Sequence, residues 1–149
     1  MQTVAAQNPF AGTTTTGQDS SRAAIWTGRV LSSIAVLFLT LDAVAKLFRP
    51  QAVIVGTTGL GYSPDVIVPL GLTLLSCVLL YVVPRTSLLG ALLLTGYLGG
   101  AVATHVRVGN PIFTHILFPT YVAAFFWGGL VLRDARLRIL LPWYDRSRS

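Results

Sequence analysis

The chain has 149 residues, of which 53% are hydrophobic and only 11% are charged. A soluble domain carries about 25% charged residues, so a soluble protein of this size could not cover its surface with so few ionisable groups. The composition therefore predicts one integral membrane domain and excludes a separate soluble module. The net charge of +6 comes from arginines at the edges of apolar runs, where they meet lipid headgroups, so nucleic acid is not a predicted partner.

The first 21 residues are small and polar and include the run Thr13–Thr16. They show no hydrophobic periodicity, and we expect residues 1–21 to form a disordered tail.

Four apolar segments follow this tail, at about residues 25–48, 66–83, 87–104 and 112–132. As helices, each is long enough to cross a hydrocarbon core about 30 Å thick. Their boundaries carry stop, cap and turn signals, namely Arg49-Pro50, Ser63-Pro64-Asp65, Pro84–Ser87 and Gly109-Asn110-Pro111. We predict an all-α, four-helix transmembrane bundle over residues 22–142.

The arginines predict the orientation of this bundle. With the amino terminus inside, eight arginines fall on the cytoplasmic side: Arg22, Arg29, Arg85, Arg133, Arg136, Arg138, Arg146 and Arg148. The outer side then holds Lys46, Arg49 and Arg107. This positive-inside bias places both termini in the cytoplasm. Residues 143–149, which begin Trp143-Tyr144, are expected to form a basic tail anchored by aromatic residues, with a partner-binding tail as the alternative.

The third segment is rich in small residues, and Gly96 and Gly100 form a GxxxG step. Small residues let helix backbones approach each other in a bilayer. Two interpretations stay open, contact inside one bundle and a homodimer face.

Polar side chains cluster in the half of the bundle predicted to be outer. Asp42 and Lys46 share a helix face at i, i+4 spacing, and Tyr97 and Ala101 share the face of His105 at steps of four. The inner halves contain almost nothing titratable. We therefore predict an outward-opening polar cavity for ligand binding or proton relay, with these candidate residues: Asp42, Lys46, Tyr97, His105, Arg107 and His115.

Several alternatives compete for these residues. The Asp42–Lys46 pair is either functional or only fixes the rotation of its helix, and the two histidines either cap helix ends or contact a proton path or a quinone headgroup. We predict no metal site, because neither an HxxxH motif nor a cysteine partner accompanies the histidines. The single cysteine, Cys77, excludes a disulfide within the chain and is expected to be a buried small hydrophobe. No catalytic residues are predicted.

Three stretches of this sequence resemble the DoxX-like membrane proteins. They are Asp42-Ala-Val-Ala-Lys46-Leu-Phe48, the segment from Gly99 to Gly109, and Phe118-Pro119 followed by the segment from Trp127 to Asp134. The resemblance covers about residues 25–142 and implies a bacterial four-helix bundle of the inner membrane. The founding group includes a subunit linked to thiosulfate oxidation with quinone as acceptor, and other members are associated with redox homeostasis. This chain has no cysteine pair that would point to thiosulfate chemistry.

The residues and the resemblance together predict an accessory membrane module that is not an enzyme on its own. It would bind a lipophilic ligand such as quinone beside a redox partner protein, as a subunit of a quinone-linked oxidoreductase. Asp42 would accept a hydrogen bond from a hydroxyl or relay protons, Lys46 would keep Asp42 ionised, and His105 would donate to a carbonyl. The alternatives are a structural scaffold for a membrane complex and a small proton-coupled transporter that oligomerises to enclose a path.

Overall fold

The computed structural model describes residues 15–134 and residue 137, with side chains described from Arg22 onward. Its helices are α1 (Thr15–Phe48), α2 (Gln51–Gly59), α3 (Ile67–Val82), α4 (Ser87–Arg107) and α5 (Phe118–Arg133). A 3-10 turn, Pro64–Val66, precedes α3, and a π-helical turn, Ile112–Ile116, precedes α5. The described residues contain no strand.

The predicted fold class is confirmed. Within the described residues, four stretches are long and apolar enough to cross a membrane: Arg22–Phe48, Pro64–Val82, Ser87–Arg107 and Ile112–Arg133. Many of their large apolar side chains are exposed, including Leu37, Leu41 and Leu79. In a four-span protein these side chains contact the lipid bilayer.

The predicted helix signals act as expected. Ser63 caps the turn before α3, because its hydroxyl oxygen accepts the backbone N–H of Asp65 at 3.4 Å. At the other turn, Gly109 has the positive φ of 70° that a left-handed residue needs.

Three elements differ from the prediction. The fourth segment, predicted as one helix from about residue 112, begins as the π-helical turn Ile112–Ile116, and α5 starts at Phe118, where Pro119 suits the first turn of a helix. The first helix begins at Thr15 rather than near residue 25, so residues 15–21 are helical instead of part of a tail. The short α2 was not predicted, since its β-branched residues and glycines are weak helix formers. The predictions that concern residues 1–14, 135–136 and 138–149, among them Arg136, Arg138 and the aromatic tail, fall outside the described residues.

The four long helices pack in a ring in which α1 contacts α3 and α5, and α4 contacts the same two helices. Consecutive spans run antiparallel, because the end of one lies beside the start of the next: Lys46 of α1 is next to Gly71 of α3, and Tyr81 of α3 is next to Gly90 of α4. The core lies between them and is lined by Ala35, Leu39, Ala43, Leu74, Cys77, Val78, Tyr81, Leu94, Phe126 and Leu130. Cys77 is 6% exposed, which confirms that it is a buried apolar side chain.

Glycines bring the helices into close contact at one end of the ring. A Cβ added at Gly28 would meet the Gly129 carbonyl oxygen at 2.9 Å, and one added at Gly90 would clash with the backbone of Tyr81. We call this the arginine end, because Arg29, Arg85 and Arg133 lie there.

The other end is where α1 and α4 finish and α3 and α5 begin, and we call it the cavity end. A Cβ added at Gly96, Gly99 or Gly100 would meet nothing within 4 Å. Of the two interpretations left open for the small residues of this segment, contact inside one bundle is contradicted at Gly96 and Gly100, whereas Gly90 of the same helix does make such a contact. The GxxxG step faces open space rather than a neighbouring helix of the same chain.

Candidate ligand-binding cavity

A cavity of about 870 Å³ occupies the cavity end of the bundle. All four spanning helices, α2 and the π-helical turn contribute to its wall. Five of the six predicted site residues line it: Asp42, Lys46, Tyr97, His105 and His115. Asp42 of α1 and His105 of α4 thus face one cavity, which helix spacing alone could not decide.

Asp42 and Lys46 form an ion pair along one face of α1. The Lys46 ammonium donates to both carboxylate oxygens of Asp42 at 2.5 Å. The Lys46 side chain is the more buried partner, with 17% exposure against 39% for Asp42. Its stem packs against α3 where Gly71 leaves room, because a Cβ at Gly71 would lie 2.8 Å from the Lys46 Cβ. The pair therefore offers a carboxylate that is charge-balanced yet still open to the cavity.

The two histidines meet across the turn between α4 and α5, with ring centroids 5.6 Å apart. The side-chain amide nitrogen of Asn110 lies 2.8 Å from His105 Nδ1. An amide nitrogen only donates, so Nδ1 accepts and the ring proton is on Nε2. No other hydrogen bond involves the His105 ring within the described residues, which leaves Nε2–H available as a donor.

His115 lies on the π-helical turn, where its Nδ1 is 2.8 Å from the Thr114 hydroxyl. Within the described residues, no group of three or more His, Cys, Asp or Glu side chains could hold a metal ion.

One face of α4 provides a polar edge on an otherwise apolar wall. Tyr97, Ala101 and His105 follow each other at steps of four and all line the cavity, as predicted. The Tyr97 hydroxyl has no hydrogen-bond partner in the described part of the chain. The apolar wall comes from the side chains Phe38, Leu39, Leu70, Leu98, Phe118 and Val122. Phe38 and Phe118 pack edge to face, with their ring centroids 5.2 Å apart.

The sixth predicted residue, Arg107, does not line the cavity. It holds the wall segment, residues 51–62, which comprises α2 and the loop after it. Its Nη2 donates to the Leu60 carbonyl oxygen at 2.8 Å, and its guanidinium lies 6.0 Å from the centre of the Tyr62 ring. A second link joins the Tyr62 hydroxyl to the Thr104 hydroxyl, also at 2.8 Å.

Sequence reasoning missed Tyr62, Thr104 and Asn110. Tyr62 follows Gly56, Gly59 and Gly61 in a stretch without a recognisable motif, and Asn110 belongs to the turn signal Gly109-Asn110-Pro111. Thr104 could have been predicted from the helical pattern, because it is next to His105 and lies one turn after Gly100.

The arginine end holds a polar network that the sequence analysis overlooked. The Tyr81 hydroxyl donates to the Phe126 carbonyl oxygen at 2.8 Å and accepts from the Ser32 hydroxyl at 2.8 Å. Tyr81 is fully buried. The sequence gives no signal for this network, because Tyr81 appears there as one aromatic residue in an apolar run.

The fold and the site define a multi-pass membrane protein: a bundle of four potential membrane spans with a polar-edged cavity at one end. The model of the DoxX-like family matches residues 30–129, which is most of the chain and includes every residue that lines the cavity. The chain belongs to the DoxX-like family. No curated protein and no solved structure gives a significant match to it.

Proposed function

We propose that the chain is an accessory membrane module that binds a lipophilic molecule with a polar head, of the quinone class, in the cavity. The observation that carries the proposal is that Asp42, Lys46, Tyr97, His105 and His115 converge on one apolar-walled space of about 870 Å³.

The size and lining of the cavity suit such a ligand. Small-molecule sites have volumes of roughly 300–1,000 Å³ and combine mostly apolar walls with a few polar groups that fix orientation. Here the apolar side chains of α1, α3 and α5 would contact the ring and the start of the tail, while the polar face of α4 meets the head. Gly96 and Gly100 are exposed and line the cavity. The apolar tail of the ligand could therefore extend past these glycines from the cavity into the bilayer.

The available hydrogen-bond donors match the acceptors of a quinone head. The Nε2–H of His105 and the hydroxyl of Tyr97 have no protein partner within the described residues. Both would donate to ring carbonyl oxygens. The ammonium of Lys46 would add a third donor, and the carboxylate of Asp42 would accept from a reduced, hydroxyl-bearing head. A redox partner protein would exchange electrons with the bound head, since a quinone passes electrons between proteins.

The test measures binding of a short-chain benzoquinone to the purified protein by equilibrium titration. His105→Ala and Tyr97→Phe should each weaken binding about 5–10-fold, the effect of one lost hydrogen bond of roughly 1–1.5 kcal/mol. Phe113→Ala is the control, because Phe113 is on the π-helical turn, is 76% exposed and does not line the cavity.

Equal affinity for wild type, His105→Ala and Tyr97→Phe would contradict the proposal. A loss of affinity in the Phe113→Ala control of the same size would also contradict it, because the effect would then not depend on the cavity.

A structural scaffold is the second candidate, and the Asp42–Lys46 geometry favours it. Each carboxylate oxygen of Asp42 already has Lys46 as a partner, so the pair is satisfied without a ligand. In a scaffold, the exchanged pair Asp42→Lys with Lys46→Asp should keep expression, assembly and any ligand content unchanged. In a ligand-binding module, the exchange should preserve folding and abolish quinone binding, because it moves the carboxylate one helical turn.

A further inference from the structure

A second cavity, of about 300 Å³, lies at the arginine end of the bundle. Its wall consists of Arg29, Ser32, Ser33 and Val36 of α1, Tyr81 and Val82 of α3, and Arg133 of α5. It is independent of the larger cavity and of the function proposed for that cavity.

Close packing of α1 on α5 brings the two arginines to this cavity. A Cβ added at Gly28 would lie 2.9 Å from the Gly129 carbonyl oxygen and 3.0 Å from the backbone nitrogen of Arg133. Arg29 follows Gly28 directly, so two cations from distant parts of the chain line the same small space. Such an arrangement raises the local positive potential and attracts an anion.

Neither arginine has a carboxylate partner in the part of the chain that the structure describes. Arg133 makes one long hydrogen bond, 3.4 Å from its Nη2 to the Tyr81 carbonyl oxygen, and its guanidinium lies 4.9 Å from the centre of the Tyr81 ring. Arg29 lies 5.5 Å from the centre of the Trp26 ring. A guanidinium has five N–H donors, so most of the donors of this pair remain available.

We propose that Arg29 and Arg133 bind a phosphate group, that of an anionic phospholipid headgroup. The planar donor fork of arginine matches phosphate oxygens in pairs, and the exposed hydroxyl of Ser33 adds a further donor. The position fits a lipid, because Arg133 ends one membrane span and Arg29 lies near the start of another. Val82 is 50% exposed beside them and offers apolar contact to the first carbons of the acyl chains.

The experiment is a native mass spectrometry titration of the detergent-purified protein with phosphatidylglycerol, phosphatidylcholine and inorganic phosphate in separate arms. Phosphatidylglycerol should bind more tightly than phosphatidylcholine. Arg29→Gln and Arg133→Gln should each weaken its binding about fivefold, the effect of one basic residue near a membrane surface. Arg85→Gln is the matched control, since Arg85 is an exposed arginine at the same end and does not line the cavity.

The arms separate the two sources of phosphate. Inorganic phosphate could bind with the same dependence on Arg29 and Arg133 and displace the lipid at millimolar concentration. That result would support a phosphate site at the two arginines and identify its ligand as soluble phosphate. Equal affinity for both lipids with no phosphate binding, or an equal effect of Arg85→Gln, would overturn the proposal. Arg29→Lys keeps the charge and serves if a glutamine variant fails to fold. It should weaken phosphatidylglycerol binding more than twofold, because an ammonium cannot match two phosphate oxygens as the guanidinium fork does; unchanged binding would contradict the paired contact.

Discussion

The two ends of the bundle are built from the same four helices, yet one is tightly packed and the other encloses a large space. At the arginine end, Gly28 and Gly90 leave no room for a Cβ, and helices touch backbone to backbone. At the cavity end, Gly96 and Gly100 face open space, and polar side chains occupy the wall. Glycine therefore has opposite roles along one chain: Gly28 and Gly90 allow helices to touch, whereas Gly96 and Gly100 leave the cavity wall without a side chain.

The polar groups differ in the same way. The hydroxyl of buried Tyr81 has two partners within the protein, whereas the hydroxyl of Tyr97 has none among the described residues. A satisfied hydroxyl holds helices together, and an unpartnered one on a cavity wall is available to a ligand. The two tyrosines therefore differ in role: Tyr81 links helices, whereas Tyr97 has a hydroxyl available to a ligand in the larger cavity.

Replacing a glycine by alanine should change the free energy of unfolding most, and in opposite directions at Gly90 and Gly96. Gly90→Ala should lower the free energy of unfolding by about 1–3 kcal/mol or more, because the new Cβ meets the Tyr81 backbone, which cannot move aside. Gly96→Ala should instead raise it by about 0.5–1 kcal/mol, since alanine is the better helix former and has room. Denaturant unfolding in mixed detergent measures both, and equal effects would remove the distinction between the two ends.

The next largest effect on stability is expected when the hydroxyl of Tyr81 or Tyr97 is removed. Tyr81→Phe should cost about 1–2 kcal/mol of stability, because it leaves the Phe126 carbonyl and the Ser32 hydroxyl without their partner in an apolar interior. Tyr97→Phe should change stability by less than about 0.5 kcal/mol, because no hydrogen bond is lost. The midpoint of thermal unfolding, followed by circular dichroism, distinguishes them. A larger loss for Tyr97→Phe would show that its hydroxyl is structural.

The smallest effect is expected at the wall segment, residues 51–62. Arg107→Gln and Tyr62→Phe each remove one link of this segment to α4, so its backbone amides should exchange with solvent about 2–10-fold faster. Hydrogen–deuterium exchange with peptide resolution checks this. Amides of α3 serve as the internal control, and unchanged exchange in residues 51–62 would show that other contacts hold the segment.

Much of the fold follows from the sequence, for simple reasons. Long apolar runs bounded by proline and glycine leave little choice about the number of spans, and Ser63 and Gly109 mark their turns by local chemistry alone. The start of α1 and the existence of α2 did not follow, because neither segment has a strong local signal. The helix of α2 buries no residue and is formed by weak helix formers.

The sequence predicts which residues form the candidate site, but it does not predict how they are oriented relative to one another. Helical spacing placed Asp42 with Lys46 and Tyr97 with His105, and membrane topology placed both groups in one half. Whether the groups face each other depends on the rotation of each helix, which close contacts such as Gly71 with Lys46 determine. For the same reason the meeting of Arg29 with Arg133 required the three-dimensional structure.

The most direct measurement of the central claim is mass spectrometry of lipophilic molecules that copurify with wild type, Gly100→Leu and Gly99→Leu. Both glycines are on α4 with open space at the Cβ, but only Gly100 lines the cavity. Light scattering monitors the oligomeric state, since Gly96 and Gly100 are also the predicted homodimer face. If the cavity binds a quinone, that quinone should be enriched over bulk lipid in wild type and Gly99→Leu, and depleted in a folded Gly100→Leu of unchanged oligomeric state. Equal quinone content in all three proteins would contradict it.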